Sequence, residues 1–272
     1  MKLGLIGYPL GHTLSPLIHR TMLKQAGLEG SYEAWPITDL AEFVTNIQGQ
    51  KIAGFNITIP YKENIIPYLQ ELDPLAAKIG AVNTVVIKQD KLKGYNTDLA
   101  GFLQPLAGFK AELIGKIAVI LGAGGAARAA CYGLASLGMA KIYLVNRDEQ
   151  RALALAEESK LAEVSVCKKE DILRLAPSLL VNTTPVGMYP HTAQMPKLPE
   201  DVFQQRTIFY DLIYRPKTTL LLQKAQAAGC ICLNGMEMLL EHAAAAFFLW
   251  TGVKVDTKQL AEQIKGRLQH EN

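Results

Sequence analysis

Four short polar segments of this sequence lie at or near the ends of predicted strands. They are residues 12–16 (His-Thr-Leu-Ser-Pro), 56–62 (Asn-Ile-Thr-Ile-Pro-Tyr-Lys), 83–84 (Asn-Thr) and 94–98 (Gly-Tyr-Asn-Thr-Asp). In open α/β sheets, ligands bind at the carboxyl ends of the strands, so these groups are expected to meet there. Hydroxyls, amides, one lysine and one carboxylate suit a small polyhydroxylated ligand. Each hydroxyl alone is more readily a helix cap or turn residue, and Lys62 alone a solvated lysine, so the prediction depends on the set.

A glycine-rich turn lies between two apolar strands in the middle of the chain. The five apolar residues Ile117–Leu121 are typical of a strand buried on both faces. The Gly-x-Gly-x-x-Ala spacing that follows is typical of a dinucleotide-binding turn, in which Gly122 permits the tight turn, Gly124 leaves room for pyrophosphate and Ala127 allows close helix packing. The strand 142–145 closes a β-α-β unit, and this context favours a bound dinucleotide over a plain tight turn. The candidate binding residues are Gly122, Ala123, Gly124, Gly125 and Ala126.

The end of the second strand of this unit bears on which cofactor binds. NAD sites usually place an acidic residue there to hold the ribose hydroxyls. Here the strand ends in Asn146 and Arg147, with Arg151 four residues later. Two guanidinium groups suit a 2′-phosphate, so NADP is favoured over NAD. Asp148 opposes this choice because a carboxylate would repel the phosphate, and the two arginines could also belong to an ordinary solvated helix start.

Composition and charge exclude several classes of partner. The net charge of +3, from 28 basic and 25 acidic residues, implies no nucleic-acid partner. The apolar run 243–250 is too short to span a bilayer, and the first residues resemble a strand and turn rather than a signal peptide. The histidines show no metal-ligand spacing. None of the four cysteines forms a Cys-x-x-Cys pair, which predicts free thiols in a reducing cytosol and a cytoplasmic protein.

The elements that must position these groups alternate between strands and helices in the first part of the chain. Strands are predicted at 2–7, 32–37 and 53–59, and a hairpin at 81–95. Ser15 followed by Pro16 is typical of a helix N-cap, and this helix should extend to about residue 26. Further helices are predicted around 39, 61–70, 74–79 and 97–107. The second part should contain strands near 163–167, 178–182 and 207–211, a long loop at 183–199, and helices at 217–228, 236–250 and 256–267.

Length and element order together predict two α/β domains. A chain of 272 residues is long enough for two domains of ordinary size. Residues 1–100 form the predicted substrate domain, completed by the C-terminal helices 236–272. Residues 101–235 form a Rossmann-type NADP-binding domain. We expect a cleft to separate the two domains.

At these motifs the chain resembles the shikimate dehydrogenases, the NADP-linked enzymes of the shikimate pathway to chorismate and the aromatic amino acids. The resemblance covers essentially the whole chain. Its motifs are residues 7–19, 56–62, 80–84, 94–98, 122–127, 146–147, 182–187, 211–216 and 234–239.

The resemblance implies an activity and a set of residue roles. The activity is the reversible NADPH-dependent reduction of 3-dehydroshikimate to shikimate by a monomer or homodimer. Lys62 and Asp98 would be the catalytic pair, with backbone at Ile213 and Gly235 near the nicotinamide. Around the substrate it places Thr13, Ser15, Thr58, Lys62, Asn83, Asp98, Tyr214 and His242.

The required chemistry agrees with the residue types. Oxidising an alcohol by hydride transfer needs a base to take the hydroxyl proton, and the same group acts as an acid in the reverse direction. Lys62 can do this if it lies within hydrogen-bond reach of the reacting oxygen, and Asp98 could orient it. The same carboxylate favours the charged ammonium, which hinders Lys62 as a base. Desolvation or a water relay could offset that effect.

Two positions depart from the family pattern. His242 occupies the position of a usual Gln, and Asp148 follows Asn146-Arg147 where Thr is frequent. A quinate-using or NAD-using enzyme of the same family is therefore an alternative, and a non-catalytic NADP-sensing protein is a more distant one. Since the unperturbed pKa of histidine is about 6.5, His242 is expected to make substrate binding sensitive to pH near that value.

Overall fold

A computed structural model describes residues 1–11, 13–47, 49–204 and 206–270, with side chains as far as Lys265. The chain divides into two compact units. The first contains residues 1–98 together with the chain from Leu240 onward, and the second contains Leu99–Leu239. The predicted α/β fold with two sheets is confirmed.

The first unit is built on a mixed six-stranded sheet. Its strands in spatial order are β2, β1, β3, β5, β6 and β4, of which β3–β5 and β5–β6 pair antiparallel. Their bounds are β1 Lys2–Gly7, β2 Ser31–Pro36, β3 Ile52–Ile57, β4 Glu71–Leu72, β5 Thr84–Lys88 and β6 Lys91–Tyr95. The helices that begin in this unit are α1 Ser15–Gln25, α2 Leu40–Asn46, α3 Pro74–Ile79 and α4 Asp98–Leu103.

The second unit is a fully parallel sheet of the Rossmann type. The order β12-β11-β10-β7-β8-β9 gives the doubly wound arrangement in which the first strand lies in the middle. The strands are β7 Ile117–Leu121, β8 Lys141–Val145, β9 Val164–Val166, β10 Leu179–Asn182, β11 Ile208–Asp211 and β12 Ile231–Asn234. The helices are α5 Lys110–Leu113, α6 Gly125–Leu137, α7 Glu149–Ser159, α8 Ile172–Leu175 and α9 Leu220–Ala227.

Two helices complete the chain, α10 Gly235–Thr251 and α11 Thr257–His270. Trp250 near the end of α10 packs on the first sheet, where its indole Nε1 donates to the Val85 carbonyl at 2.9 Å. Gly54 on β3 makes room for it, since a Cβ there would lie 2.2 Å from the indole nitrogen. No helix among the described residues is long and apolar enough to cross a membrane.

Several predicted boundaries in the first unit are wrong. The strand predicted at 53–59 ends at Ile57, and the helix predicted at 61–70 is a run of turns with one 3₁₀ turn at Ile66–Tyr68, followed by the unpredicted β4. The backbone amide of Tyr61 bonds to the carbonyl of Thr58, and that of Val82 bonds to the carbonyl of Lys62. These hydrogen bonds to other parts of the first unit hold the segment in turns instead of a regular helix. The helix predicted to reach residue 107 ends at Leu103 and continues as a 3₁₀ turn to Phe109.

The predicted cap of α1 is also wrong. Leu14 occupies the N-cap position with helical backbone angles and no side-chain cap bond, while Pro16 lies in the first turn as expected. Thr13 Oγ1 instead accepts from the backbone amide of Ser15 at 3.2 Å and lies 3.1 Å from its hydroxyl. Ser15 is therefore not the cap of the helix, and its hydroxyl accepts from the Thr13 hydroxyl instead.

Candidate active site

Lys62 and Asp98 form an ion pair at the end of the first sheet. Lys62 lies in the turn after β3, and Asp98 is the first residue of α4. Lys62 Nζ is 2.6 Å from Asp98 Oδ2, with side-chain exposures of 16% and 3%. The Lys62 carbonyl accepts from the Val82 amide at 2.7 Å, which ties this turn to the segment before β5. The structure thus brings the predicted catalytic pair together.

Asp98 is a buried carboxylate held in its ionised form. Asn83 Nδ2 donates to the second carboxylate oxygen, Oδ1, at 2.8 Å. Burial favours the protonated form of Asp98, but the Lys62 ammonium, with His242 and the Asn83 amide, outweighs this. The pKa of Asp98 consequently lies below its ordinary value.

The other predicted substrate residues of the first unit differ in exposure. Asn83 and Ser15 are buried, whereas Thr13 and Thr58 are half-buried and retain access to solvent. The methyl group of Thr58 lies over Gly7, where a Cβ would approach it to 2.3 Å, so glycine is needed at that position. His12, from the same motif as Thr13, lies outside the described residues.

His242 lies on α10, and the charges of both Lys62 and Asp98 affect its pKa. Its Nδ1 is buried and has no hydrogen-bond partner among the described residues. Burial lowers the pKa of His242 to about 4, Asp98 opposes that shift and Lys62 reinforces it. The expected titration near pH 6.5 is therefore wrong, because the imidazole is neutral at that pH.

The structure adds residues that the sequence did not single out. Tyr32 on β2 is fully buried, and its hydroxyl donates to Asn56 Oδ1 at 2.7 Å. His19 stacks on its ring at a centroid distance of 4.1 Å. Asn56 and Thr84 belong to polar segments that the sequence did mark, but Tyr32 lies in a strand with no local signal of a polar role.

In the second unit, the glycine turn between β7 and α6 has the geometry of an anion-binding turn. Gly122 has φ 113°, and a Cβ there would lie 2.4 Å from Thr183 Oγ1, so only glycine fits. Gly124 caps α6, which begins at Gly125, and Ala127 is fully buried against the strand. A Cβ on Gly124 would meet only Arg151 Nη2, at 3.7 Å, among the described atoms. The open space beside a helix N-terminus fits the pyrophosphate of a dinucleotide.

The residues after β8 form a polar, cationic corner next to that turn. Asp148 is the N-cap of α7, and its carboxylate accepts from the Arg151 amide at 3.2 Å. Asn146 Nδ2 donates to the Asp148 carbonyl at 2.8 Å, and Arg147 is exposed. Asp148 thus has a structural role as a cap, which the sequence analysis had not assigned to it.

Ile213 and Gly235 are joined by a backbone hydrogen bond of 3.1 Å from the Gly235 amide to the Ile213 carbonyl. A Cβ on Gly235 would approach the Leu212 carbonyl oxygen to 1.9 Å, so no side chain fits there. Tyr214, expected at the substrate, is half-buried and lies in this second unit, three residues after β11.

Asp211 at the end of β11 is fully buried among neutral donors. It accepts from Thr219 Oγ1 at 2.6 Å, from Asn182 Nδ2 at 3.0 Å and from the Ile213 amide at 3.1 Å. Burial raises the pKa of Asp211 to about 6, in spite of these bonds. Among the described residues of both units, no group of three or more His, Cys, Asp or Glu side chains could hold a metal ion.

Models of two protein families match this sequence, one in each of the two units. The model of the shikimate dehydrogenase substrate binding domain matches residues 5–85, and the shikimate / quinate 5-dehydrogenase model matches residues 106–183. The shikimate dehydrogenase (NADP(+)) of Caldanaerobacter subterraneus subsp. tengcongensis is 40% identical, and the match covers 97% of this chain and 96% of the relative.

Two solved structures show the same fold over nearly the whole length. Shikimate 5-dehydrogenase from Thermus thermophilus, in complex with NADP(H) and shikimate, has 39% identity and a TM-score of 0.85, covering 96% of this chain and 97% of that one. Quinate dehydrogenase from Corynebacterium glutamicum, in complex with NAD, has 30% identity and a TM-score of 0.88, covering 98% and 99%. By sequence, family models and fold, this chain belongs to the shikimate dehydrogenase family.

Proposed function

We propose that this chain catalyses the reversible, NADPH-dependent reduction of 3-dehydroshikimate to shikimate in the pathway to chorismate and the aromatic amino acids. The observation that carries the proposal is the 2.6 Å Lys62–Asp98 ion pair at the strand ends of the first unit, in a chain of this family. The chain is an oxidoreductase acting on a CH–OH group, and NADP is its cofactor.

In the proposed reaction, the first unit supplies the proton chemistry. Lys62, held as an ammonium by Asp98, donates a proton to the ketone oxygen as the alcohol forms. In the oxidation direction Lys62 takes that proton back. Asp98 remains ionised and orients Lys62, and the Asn83 amide holds the carboxylate. Thr13, Ser15, Thr58, Tyr214 and His242 would bind the hydroxyl and carboxylate groups of the substrate.

In the second unit, the turn and its neighbours would hold the cofactor. When bound, NADPH supplies the hydride for the ketone carbon. The backbone amides of residues 122–126 and the start of α6 would bind the pyrophosphate. Asn146, Arg147 and Arg151 would bind the ribose and its 2′-phosphate, and the paired backbone at Ile213 and Gly235 would lie beside the nicotinamide. The capping role of Asp148 accounts for a carboxylate at this position without a bound NAD ribose, which is compatible with NADP.

A spectrophotometric assay tests this function. Formation of NADPH at 340 nm would be followed with shikimate or quinate as substrate and with NADP or NAD as cofactor. We expect the highest kcat/KM for shikimate with NADP. A higher value with quinate or NAD would favour the alternative enzymes, and no turnover with any pair would favour a sensor that binds NADP without catalysis.

The cellular setting and assembly are separate proposals. A cytoplasmic location is supported by four cysteines that are all free, Cys131, Cys167, Cys230 and Cys232. Thiol titration of protein isolated under non-reducing conditions should count four. We propose a monomer or homodimer, which sedimentation equilibrium would distinguish from higher oligomers.

A further inference from the structure

A chain of buried hydrogen bonds crosses the first sheet from Tyr32 on β2 toward Asp98. The Tyr32 hydroxyl donates to Asn56 Oδ1 at 2.7 Å. Asn56 Nδ2 then donates to Thr84 Oγ1 at 3.0 Å and to the Asn83 carbonyl at 3.2 Å. All four side chains are buried, with exposures between 0% and 4%. Hydrogen bonds in such surroundings are strong, and a missing partner is costly.

The donor and acceptor roles along this chain have one consistent direction. Thr84 Oγ1 accepts from Asn56, so its single proton is available to Asn83 Oδ1, 3.1 Å away. Asn83 Oδ1 also accepts from the Thr97 amide at 2.8 Å, which fixes the oxygen end of this side chain. The Asn83 Nδ2 group must then face Asp98 Oδ1, at 2.8 Å, and leaves Oδ2 for Lys62.

The first member of the chain is held by packing. His19 stacks on the Tyr32 ring with an interplanar angle of 5°, and Trp250 lies at a tilt with centroids 6.3 Å apart. Burial raises the pKa of Tyr32, so its hydroxyl keeps its proton and remains a donor. The position of this donor is therefore set by the ring contacts and does not depend on the bond to Asn56.

We propose that Tyr32 and Asn56 are positioning residues, which act through Thr84 and Asn83 to hold the Asp98 carboxylate with Oδ2 toward Lys62. This inference rests on the proposed function, to which it adds two residues that reach the ion pair through Thr84 and Asn83. If the tyrosine hydroxyl is removed, the buried Asn56 Oδ1 loses the bond that Tyr32 donates to it. A rotation of the Asn56 amide would then turn Oδ1 toward the Thr84 hydroxyl in place of Nδ2, and a bond from that hydroxyl to Asn56 would take its proton from Asn83.

The variant Tyr32→Phe tests this series of hydrogen bonds, with Tyr61→Phe as a matched control. Tyr61 is buried in the same unit, but its hydroxyl donates to the Ile37 carbonyl at 2.8 Å, outside the chain. We expect Tyr32→Phe to lower kcat about tenfold, the usual worth of one buried hydrogen bond. Tyr61→Phe should change kcat less than about twofold.

The acidic side of the kcat–pH profile provides a second readout. The titratable groups that face Asp98 are Lys62 from the turn after β3 and His242 from α10, and Asn83 is its neutral donor. A weaker bond from Asn83 to the carboxylate raises the pKa of Asp98, so the acidic limb should move to higher pH in Tyr32→Phe alone. An NMR titration of ¹³C-labelled aspartate should show the same rise in Asp98, by about 0.5 or more, without any turnover.

A pair of variants at Thr84 separates hydrogen bonding from packing. Thr84→Ser keeps the hydroxyl and loses a methyl group, whereas Thr84→Val keeps the shape and loses the hydroxyl. The proposal expects Val to lower kcat by about tenfold and Ser to retain most of it. If Tyr32→Phe does not fold, the two Thr84 variants still test the proposal.

Three results would overturn the proposal: equal kcat in the two tyrosine variants, an unchanged Asp98 titration in Tyr32→Phe, or a larger kcat loss in Thr84→Ser than in Thr84→Val. Failure of the proposed function has a different signature, since wild-type protein would then not turn over shikimate. The NMR titration would still decide the inference in that case.

Discussion

Asp98 in the first unit and Asp211 in the second are both buried aspartates, yet their surroundings shift their pKa values in opposite directions. Asp211 accepts three hydrogen bonds from neutral donors, and burial still raises its pKa to about 6. Asp98 accepts one from a neutral amide and one from the Lys62 ammonium, and its pKa is lowered. A neighbouring cation, rather than the number of hydrogen bonds, therefore decides whether the pKa of these two buried carboxyl groups lies below or above its ordinary value.

This difference matches the different tasks of the two carboxylates. The first must be an anion at neutral pH in order to hold an ammonium group in place. The second organises backbone, since it binds the Ile213 amide, and Ile213 in turn binds Gly235. A neutral or a charged Asp211 can accept these bonds, so its ionisation affects stability more than geometry.

Removal of the Lys62 ammonium should raise the pKa of Asp98 above its ordinary value, as burial does for Asp211. Lys62→Ala should lower kcat by about 10²–10⁴-fold, the usual worth of a positioned acid–base group, and should raise the pKa of Asp98. Steady-state kinetics and the ¹³C titration would measure both, with the exposed Lys88→Ala as the control. Near-normal turnover in Lys62→Ala would remove Lys62 from the proposed mechanism.

Removal of the charge at Asp211 should stabilise the protein above neutral pH. The folded-state pKa of about 6 lies above the ordinary value of 3.8, so this group stabilises the fold below pH 4 and that contribution is lost as pH rises through 6. Asp211→Asn can keep all three hydrogen bonds if the Thr219 hydroxyl reverses its role. We expect the free energy of unfolding at pH 8 to rise by about 2–3 kcal/mol, and the gain to vanish near pH 4.

Urea unfolding at pH 4 and pH 8 would measure this effect. Asp201→Asn, at an exposed aspartate of the same unit, is the control and should change stability at neither pH. Equal stability of wild type and Asp211→Asn at pH 8 would mean that the buried carboxylate is compensated in a way that the three neutral donors do not explain.

The sequence predicted the parts of each region that depend on local pattern. The glycine turn and its flanking strands follow from residues close together in the chain, and the structure places them as expected. Tyr32 and the turns at 61–70 were missed because they depend on partners elsewhere in the chain. Tyr32, for example, meets Asn56 on another strand, and a tyrosine in a strand carries no sign of its hydroxyl partner. The capping role of Asp148 was missed although its partner, the Arg151 amide, lies only three residues later.

The cations of the two regions extend the comparison, since Lys62 is largely buried and Arg147 is exposed. Arg147→Ala should raise KM for NADP by about tenfold and leave KM for NAD almost unchanged, because a charge-assisted bond to the 2′-phosphate is worth about 1.5–3 kcal/mol. Initial rates with each cofactor would measure this, with Arg174→Ala, an exposed arginine of the same unit, as the control. Equal losses with both cofactors would show that Arg147 does not meet the 2′-phosphate.

The smallest effect is expected at His242. With a pKa lowered to about 4 by burial, the imidazole is neutral throughout the range from pH 5.5 to 8.5. KM for shikimate should therefore show no histidine inflection over that range in wild type or in His242→Gln. An inflection near pH 6.5 in the wild type that the variant lacks would restore the titrating contact expected from the sequence.

The contacts of Trp250 affect the order in which the two units can fold during synthesis on the ribosome. The second unit is one continuous segment, whereas the first needs the chain from Leu240 onward, with Trp250 bonded to Val85 and packed beside Tyr32. Residues 1–98 emerge first but lack this partner until the rest has been translated. We therefore expect the later segment to fold first, the reverse of the usual N-terminal-first order. The polar chain beneath Trp250 would be among the last features to become protected from water.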